Sequence, residues 1–218
     1  MRFAAFETST EWCSVALWRD GEIAAVERRA GNRHSDLALP MLERLLAAAG
    51  MMAGQLDAVA FGAGPGSFTG LRIACGLAQG LAFANGIPVI GISTLAAMAE
   101  ESGAARVVAC LDARMHEVYY SALEKHAGRW KEVVEVRCIS PDAVTPKGDD
   151  WVGCGNGFAV YGKLGMSRVL PEVHPSAIAV ARLAAPRLAA GEGVDAALAA
   201  PIYVREKVAF TKAELEGR

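Results

Sequence analysis

The sequence lacks an excess of either charge, closely spaced cysteines and an uninterrupted apolar run long enough to cross a membrane. Its 218 residues include 22 basic and 24 acidic side chains, which gives a formal net charge of −2. This balance excludes a protein that coats nucleic acid by charge alone. Hydrophobic residues make up 53% of the chain and charged residues 21%, which excludes intrinsic disorder and allows one or two folded domains.

Paired thiols and a leader signal are also missing. The five cysteines are odd in number, and no two of them have the Cys-x-x-Cys spacing of a zinc or redox site. The apolar start of the chain is too short for a secretion signal, because Glu7 follows directly on Phe6. We therefore expect reduced thiols and a cytoplasmic protein.

The stretch from Ile73 to Ala99 contains no charged residue. A membrane-spanning helix needs about 20 continuous apolar residues, and Asn85-Gly86-Ile87-Pro88 interrupts this stretch near its middle. We interpret it as a helix, a turn, a buried strand and the start of a further helix, and we expect no membrane association.

Hydrophobic periodicity predicts the order β-β-β-α-β-α-β over the first part of the chain. Asp20-Gly21 is a strong hairpin signal between the second and third strands. The predicted strands are residues 3–6, 13–18, 23–26, 56–61 and 87–91, and the predicted helices are residues 37–49 and 68–84. This order is typical of a mixed α/β fold with helices covering a sheet.

The opening pattern recurs about 105 residues later. Strand 107–111 ends in Asp112, as strand 3–6 ends in Glu7, and two more predicted strands follow it. The copy then shortens, with a polar loop and a last helix over residues 176–190. We predict an N-terminal lobe, residues 1–102, which carries partner-binding helices, and an abbreviated C-terminal lobe, residues 103–218, whose last segment can pack back on the first lobe.

Two lobes that each open with three strands and an acidic residue resemble the actin, Hsp70 and sugar-kinase (ASKHA) superfold, an α/β fold of duplicated half-domains. In that superfold, acidic strand ends of both lobes grip a nucleotide phosphate chain and its metal ion. Glu7 and Asp112 are therefore the candidate cofactor-binding residues. The alternative is that each is a hydrogen-bonded carboxylate at a strand end. No nucleophile elbow or histidine pair with metal-ligand spacing is present, so we predict no catalytic and no metal-binding residue.

A glycine-rich loop, Gly64-Pro65-Gly66-Ser67, connects a predicted strand to a predicted helix. Glycines let a backbone come close to a neighbour, and free amides at a helix start attract anions. No Gly-Lys-[Ser/Thr] follows, so the loop is not a Walker motif. Close packing of the helix start and a phosphate cradle are both compatible with this pattern, and we favour a structural loop.

The two predicted helices on either side of this loop are apolar over an unusually wide surface. Residues at spacing of about four share one helix face, and an all-round apolar helix must be buried on more than one side. Burial inside the chain and burial against a partner both explain the pattern. The residues that we predict for a partner interface are His34, Leu37, Met41, Leu45, Gly70, Leu71, Ala74, Leu77, Ala78 and Leu81.

Several motifs together resemble one family. The run from Gly64 to Arg72, Gly-Pro-Gly-Ser-Phe-Thr-Gly-Leu-Arg, is similar to the signature of the TsaB (YeaZ) family of bacterial tRNA threonylcarbamoyladenosine biosynthesis subunits. Further matches are Thr8-Ser9-Thr10, His34-Ser35, Asp112-Ala113-Arg114 and Pro201-Ile202-Tyr203-Val204-Arg205. They follow the family's order over nearly the whole chain.

The resemblance implies a non-catalytic scaffold subunit. Such proteins pair with a related catalytic subunit, TsaD, which uses a threonylcarbamoyl-adenylate to modify adenosine 37 of tRNAs reading A-starting codons. An ATPase, TsaE, completes the assembly. The resemblance therefore implies no cofactor of the chain itself, ATP, magnesium and a metal ion at the partner subunits, tRNA contact through the complex, and a homodimer when the partner is missing.

Two departures from related proteins support a scaffold. Glu7 stands where family members commonly have aspartate, and His34 stands alone where the catalytic relative has an H-x-x-x-H metal motif. One alternative is an ATP-binding small-molecule kinase or ATPase that uses Glu7 and Asp112 with magnesium. A second alternative, a metalloprotease, needs a ligand cluster that the scattered His34, His116, His126 and His174 do not supply.

Overall fold

The computed structural model of the chain describes residues 1–145 and 148–205. The strands are β1 Arg2–Glu7, β2 Trp12–Arg19, β3 Glu22–Arg29, β4 Ala58–Gly64, β5 Val89–Ser93, β6 Arg106–Arg114, β7 Glu117–His126, β8 Arg129–Ile139, β9 Val152–Cys154 and β10 Arg168–Leu170. The α-helices are α1 His34–Ala48, α2 Phe68–Asn85, α3 Thr94–Glu101, α4 Asn156–Tyr161 and α5 Ala177–Ala189. Short 3₁₀ turns span Ala53–Gln55, Pro141–Ala143 and Ala196–Leu198.

The strands form two sheets of the same topology. The first sheet has the order β3-β2-β1-β4-β5, and the second, read from the equivalent edge, has the order β8-β7-β6-β9-β10. In each sheet the first three strands are antiparallel, and the last two join them in parallel. The predicted internal repeat is confirmed, and the chain has the two-lobed α/β architecture of the ASKHA superfold.

The second lobe is the shorter copy, as the sequence predicts. Strands β9 and β10 have three residues each. Helix α4 has six residues, whereas α2, at the equivalent place in the first lobe, has 18. A 3₁₀ turn of three residues, Pro141–Ala143, stands where the first lobe has α1.

The first sheet is covered on both faces. Successive side chains of a strand point to opposite faces, and β1 shows this directly. Ala4 and Phe6 belong to the core beneath α1 and α2, whereas Phe3 and Ala5 belong to the core beneath α5. All four are fully buried, so the apolar residues of this short strand serve two cores at once.

The helices that follow the last strand of each sheet pack across the lobes. Helix α3 follows β5 of the first sheet, and its Leu95 and Met98 pack with Leu111 and Leu123 of the second sheet. Helix α5 follows β10 of the second sheet, and its Val180 packs on the first sheet. The predicted division into 1–102 and 103–218 thus separates the two sheets, but packing crosses it in both directions.

Helix α1 begins at His34, three residues before the predicted start. Nε2 of His34 donates to the carbonyl oxygen of Thr10 at 2.9 Å, which ties the helix start to the β1–β2 turn. Pro40 therefore lies inside the helix rather than in its first turn, on the exposed side. An exposed position lets water replace the backbone hydrogen bond that proline cannot donate.

Serine hydroxyls start the other long helices. The side chains of Ser67, Ser93 and Ser176 accept hydrogen bonds from amides in the first turns of α2, α3 and α5, respectively. Helix α2 ends at Gly86, which has the left-handed conformation (φ +63°). Within residues 1–145 and 148–205, no helix is long and apolar enough to cross a membrane.

Candidate functional site

The glycine-rich loop is filled by the chain's own β1–β2 turn. A Cβ atom at Gly66 would lie 2.6 Å from the carbonyl oxygen of Ser9, and one at Gly70 would lie 1.9 Å from that of Thr8. The amide of Ser67 donates to the Ser9 carbonyl oxygen at 2.7 Å, and Oγ1 of Thr8 donates to the Gly70 carbonyl oxygen at 2.7 Å. The glycines serve this close approach, and the turn occupies the space beside the helix start that a phosphate would need.

The same loop holds the end of the chain's described part. Gly64, with φ +118°, lies so close to the Ile202 carbonyl oxygen that a Cβ atom would approach it to 2.7 Å. The Ile202 amide donates to the carbonyl oxygen of Ala63 at 2.7 Å. Pro65 follows Gly64 through a cis peptide bond. The loop thus contacts both the first turn of the chain and its closing motif.

Glu7, the first candidate cofactor residue, lies entirely inside the protein. Its Oε1 accepts a hydrogen bond from the Ser9 amide at 2.7 Å, and its Oε2 has no hydrogen-bond partner among the described residues. Burial raises the pKa of the Glu7 carboxyl, although hydrogen bonding to Ser9 acts in the opposite direction. A carboxyl in this position is not available to a nucleotide or metal in a cleft.

The carboxyl of Asp112, the second candidate, is engaged in hydrogen bonds and an ion pair with neighbouring residues of the chain. Its Oδ1 accepts hydrogen bonds from the Arg114 amide at 2.9 Å and from the Tyr161 hydroxyl at 3.1 Å. Its Oδ2 forms an ion pair with the Arg114 guanidinium at 3.2 Å. Neither Glu7 nor Asp112 lines either of the two cavities that lie between the lobes. Both are strand-end carboxyls with hydrogen-bond partners in the chain, as in the alternative that the sequence left open, and their role in cofactor binding stays a prediction.

Two neighbouring cavities lie between the lobes, with volumes of about 200 and 310 Å³. Glu172, Val173 and His174 line both. The other carboxylates at their walls belong to Glu11, Glu27 and Glu101. Pockets that bury drug-sized ligands usually have volumes of about 300–1,000 Å³. Within the described part of the chain no lysine or arginine lines either cavity.

A catalytic metal centre is not found in the described ranges either. They contain no group of three or more histidine, cysteine, aspartate or glutamate side chains that could hold a metal ion. His34 binds the Thr10 carbonyl oxygen, and His174 contacts Glu27 on β3. The side chains with metal-ligating chemistry are thus engaged separately.

Most of the predicted interface residues point into the chain itself. Burial in the interior applies to His34, Met41, Leu45, Gly70, Leu71, Ala74 and Ala78, whereas Leu37, Leu77 and Leu81 are half-buried. The stripe of small residues on α2 allows this helix to lie close to its own sheet, since Ala74 and Ala78 belong to the core with Phe6 and Phe61. A surface that α1 and α2 offer to a partner therefore consists of the half-buried Leu37, Leu77 and Leu81 together with residues outside the predicted set.

The outward side of α2 carries a second small-residue stripe, which the sequence analysis missed. Gly76 and Gly80 are exposed, and a Cβ atom built on either would meet nothing within 4 Å. Phe83, one turn further on, is 84% exposed. The outer face of α2 is made by Ile73, Gly76, Leu77, Gly80, Leu81 and Phe83. It presents an apolar surface with open space over Gly76 and Gly80. Leu39 of the neighbouring α1 is 39% exposed.

Comparisons with known proteins agree on one family. A family model described as "TsaD: tRNA N6-adenosine threonylcarbamoyltransferase" matches residues 26–209. The tRNA threonylcarbamoyladenosine biosynthesis protein TsaB of Escherichia coli K12 is 37% identical, over 97% of this chain and 98% of that protein. The protein of the same name from Haemophilus influenzae is also 37% identical, over 98% of this chain and 97% of its own.

A solved structure agrees with the sequence relatives. The structure titled "YeaZ from Pseudomonas aeruginosa" has a TM-score of 0.88 and 38% sequence identity, and the match covers 93% of this chain and 99% of that one. Sequence, fold and the signature from Gly64 to Arg72 thus lead to the same conclusion. The chain belongs to the TsaB (YeaZ) family, within the wider group of proteins that the TsaD model describes.

Proposed function

We propose that this protein is a non-catalytic subunit in the biosynthesis of tRNA threonylcarbamoyladenosine, and that it binds a TsaD-like catalytic protein through α1 and α2. The pathway follows from the names of its relatives, which are threonylcarbamoyladenosine biosynthesis proteins. One observation carries the binding surface: Phe83 is 84% exposed on the same side of α2 as the exposed Gly76 and Gly80. Apolar surface of this kind is typical of protein–protein contact.

The likeness to TsaD supports a partner of related fold. Because the TsaD family model matches residues 26–209, both α1 and α2 have counterparts in that family. Two related chains can pack the same helices against each other around an approximate two-fold axis, as identical subunits do around an exact one. The outer face of α2 can therefore bind the catalytic partner or, in its absence, a second copy of this chain.

The surroundings of the two candidate carboxyls and the lining of the cavities support assigning the cofactors to other subunits. Glu7 is buried, Asp112 is bonded to Tyr161 and Arg114, and the interlobe cavities are lined by carboxylates. We assign ATP, magnesium and the metal ion to the catalytic partner and to a TsaE-like ATPase, and tRNA contact to the complex, which works in the cytoplasm. The alternative of a kinase or ATPase is not favoured, because no lysine or arginine of the described residues lines either cavity.

Sedimentation of the chain with the TsaD-like protein of the same organism tests the proposal. We expect a mixed dimer with the unaltered chain and its loss with Phe83→Glu, because a carboxylate would be buried at the contact. Val160→Glu, at a 55% exposed apolar position of α4, is the matched control. A mixed dimer that persists with Phe83→Glu would reject this surface. No complex with the unaltered chain would reject the scaffold role.

Cells provide the second measurement. In a strain depleted of its own TsaB, the unaltered chain and Val160→Glu should restore threonylcarbamoyladenosine in tRNA, whereas Phe83→Glu should not. Restoration by all three proteins would show that the outer face of α2 is not needed for the modification.

A further inference from the structure

The segment from Pro171 to Ser176 connects the two lobes. It leaves β10 of the second sheet and leads into α5, which packs on the first sheet. His174 stands near its centre and is half-buried. The ring of His174 stacks on the indole of Trp12, with ring centroids 4.6 Å apart and planes at 11°. Its side chain therefore lies between the lobe that the segment leaves and the lobe that it enters.

Both ring nitrogens of His174 face hydrogen-bond acceptors. Nε2 lies 3.0 Å from Oε1 of Glu27 on β3, and Nδ1 lies 3.2 Å from the carbonyl oxygen of Glu172. Neither a carboxylate nor a carbonyl oxygen can donate, so both contacts are hydrogen bonds only when both nitrogens carry protons. The geometry selects the imidazolium form of His174.

The charges around His174 act in the same direction. Glu27 faces it from β3, Glu172 from its own segment and Glu101 from the end of α3, while Glu11 of the β1–β2 turn lines the same cavity and pairs with Arg29 at 3.0 Å. The hydrogen bond to Glu27 is the main cause that raises the pKa of His174, against the opposing effect of burial. The site therefore favours the cation on grounds of charge as well as hydrogen bonding.

His174 also forms part of the wall between the two interlobe cavities. Glu172, Val173 and His174 line both cavities, so movement of this short stretch would join them. The stretch beyond it is fixed by other contacts: the Ala177 amide donates to Oγ of Ser14 at 3.0 Å, and Ser176 donates to Glu101. The part that His174 holds instead depends on the protonation of a histidine ring.

We propose that protonated His174 is a clasp that holds residues 171–174 against the first sheet, and that loss of its proton releases this stretch and joins the two cavities into one cleft. Deprotonation removes the positive charge that attracts the Glu27 carboxylate, and in the tautomer that keeps its proton on Nδ1 it also removes the hydrogen bond from Nε2 to Glu27. The cleft is therefore closed at a pH below the midpoint of the His174 titration and open at a pH above it. This inference does not depend on the proposed function.

Nuclear magnetic resonance of the histidine ring nitrogens tests the first part. His174 should keep both protons to a higher pH in the unaltered chain than in Glu27→Gln, because the amide removes the negative partner. His126→Gln is the control, because His126 pairs with Glu124 at 2.9 Å within the second sheet. It should leave the titration of His174 unchanged. An equal midpoint in the unaltered chain and in Glu27→Gln would overturn the clasp.

Amide hydrogen exchange of residues 168–178 tests the second part, at one pH below and one above the His174 midpoint, corrected for intrinsic exchange. We expect protection to fall about fivefold to tenfold across the midpoint in the unaltered chain and in His126→Gln. His174→Phe keeps an aromatic ring on Trp12 without a charge, so its protection should be low at both pH values. Unchanged protection across the midpoint, or full protection in His174→Phe, would overturn the proposal.

Discussion

Glu7 and Gly62 lie on neighbouring parallel strands so close together that a Cβ atom on Gly62 would stand 1.9 Å from Oε2 of Glu7. The absence of a side chain at position 62 therefore creates the space that the buried carboxyl fills. Both residues stand near the carboxyl ends of their strands, where the ASKHA superfold places its nucleotide. In this chain the Glu7 carboxyl at that edge of the sheet is fully buried.

Gly62→Ala should lower the free energy of unfolding by about 2–3 kcal/mol, because the added methyl group overlaps a fully buried carboxyl, which must then shift within the packed interior. Gly76→Ala is the matched control on the exposed side of α2. It should raise the free energy of unfolding by about 0.5–1 kcal/mol, since alanine favours a helix interior over glycine. Urea unfolding of both variants measures the difference, and equal effects would contradict this account of Gly62.

Glu7→Gln should change how stability depends on pH. The pKa of Glu7 is raised in the folded state, so the folded chain binds this proton more tightly than the unfolded chain does. Its contribution is fully present below the unfolded pKa and is lost as pH rises toward the folded pKa. Glutamine removes that loss, so the stability of the variant relative to the unaltered chain should increase with pH. If the difference in the free energy of unfolding between Glu7→Gln and the unaltered chain were the same at pH 4 and at pH 8, this prediction would be wrong.

Charge substitutions two residues apart on α2 should have opposite consequences. Ala78 is fully buried, so Ala78→Glu should cost about 3 kcal/mol or more and prevent stable folding. Gly80 is exposed with open space around it, so Gly80→Glu should fold normally and affect only partner binding. Circular dichroism and urea unfolding measure the first effect, and sedimentation measures the second. A stable Ala78→Glu would contradict the orientation of α2.

Arg205 should stabilise the strained turn of the second lobe. Arg114, Met115 and His116 have φ angles of +63°, +56° and +58°, a costly conformation for residues other than glycine. Arg205 donates to the Arg114 carbonyl oxygen at 3.2 Å and pairs with Glu117. Arg205→Met should cost about 1–3 kcal/mol and speed tryptic cleavage after Arg114.

Arg187 supplies the comparison for Arg205. It pairs with Glu192 at 2.7 Å, and both side chains are more than two-fifths exposed. Arg187→Met should therefore cost less than about 1 kcal/mol and leave cleavage after Arg114 unchanged. Similar losses in the free energy of unfolding for both variants would show that Arg205 stabilises the turn no more than an exposed ion pair would.

Sequence reasoning was sufficient for the architecture. The five strands of the first sheet, the first three strands of the second, the two long helices of the first lobe and the shortened repeat were predicted, because period-2 and period-3.6 patterns depend on local residue order. The short β9, β10 and α4 were not predicted, since three to six residues are too few to show a period. Which side of α2 faces outward was not predicted, since periodicity groups residues on a face without saying what covers it. The sequence did contain a hint of the outward face. Gly76, Gly80 and Phe83 are small or apolar residues of α2 that the core does not require.

The surroundings of Glu7 and His174 depend on neighbours distant in sequence. Whether Glu7 is buried is decided by Gly62, 55 positions away, and the contact of His174 with Glu27 joins residues 147 positions apart. Neither a strand-end carboxylate nor a lone histidine reveals such a neighbour. The path of α5 back to the first sheet is likewise decided by tertiary packing.

The exchange of α3 and α5 between the sheets also bears on how the chain is made. On a ribosome, β1 to β5 emerge long before residues 177–189, which form α5. The face of the first sheet that carries Phe3, Ala5 and Ile90 therefore stays exposed until α5 has been synthesised. Bare apolar surface on a nascent chain invites aggregation and chaperone binding. Neither half is therefore a self-sufficient folding unit, and a chain cut at residue 102 would leave two fragments that each lack the helix completing their own sheet.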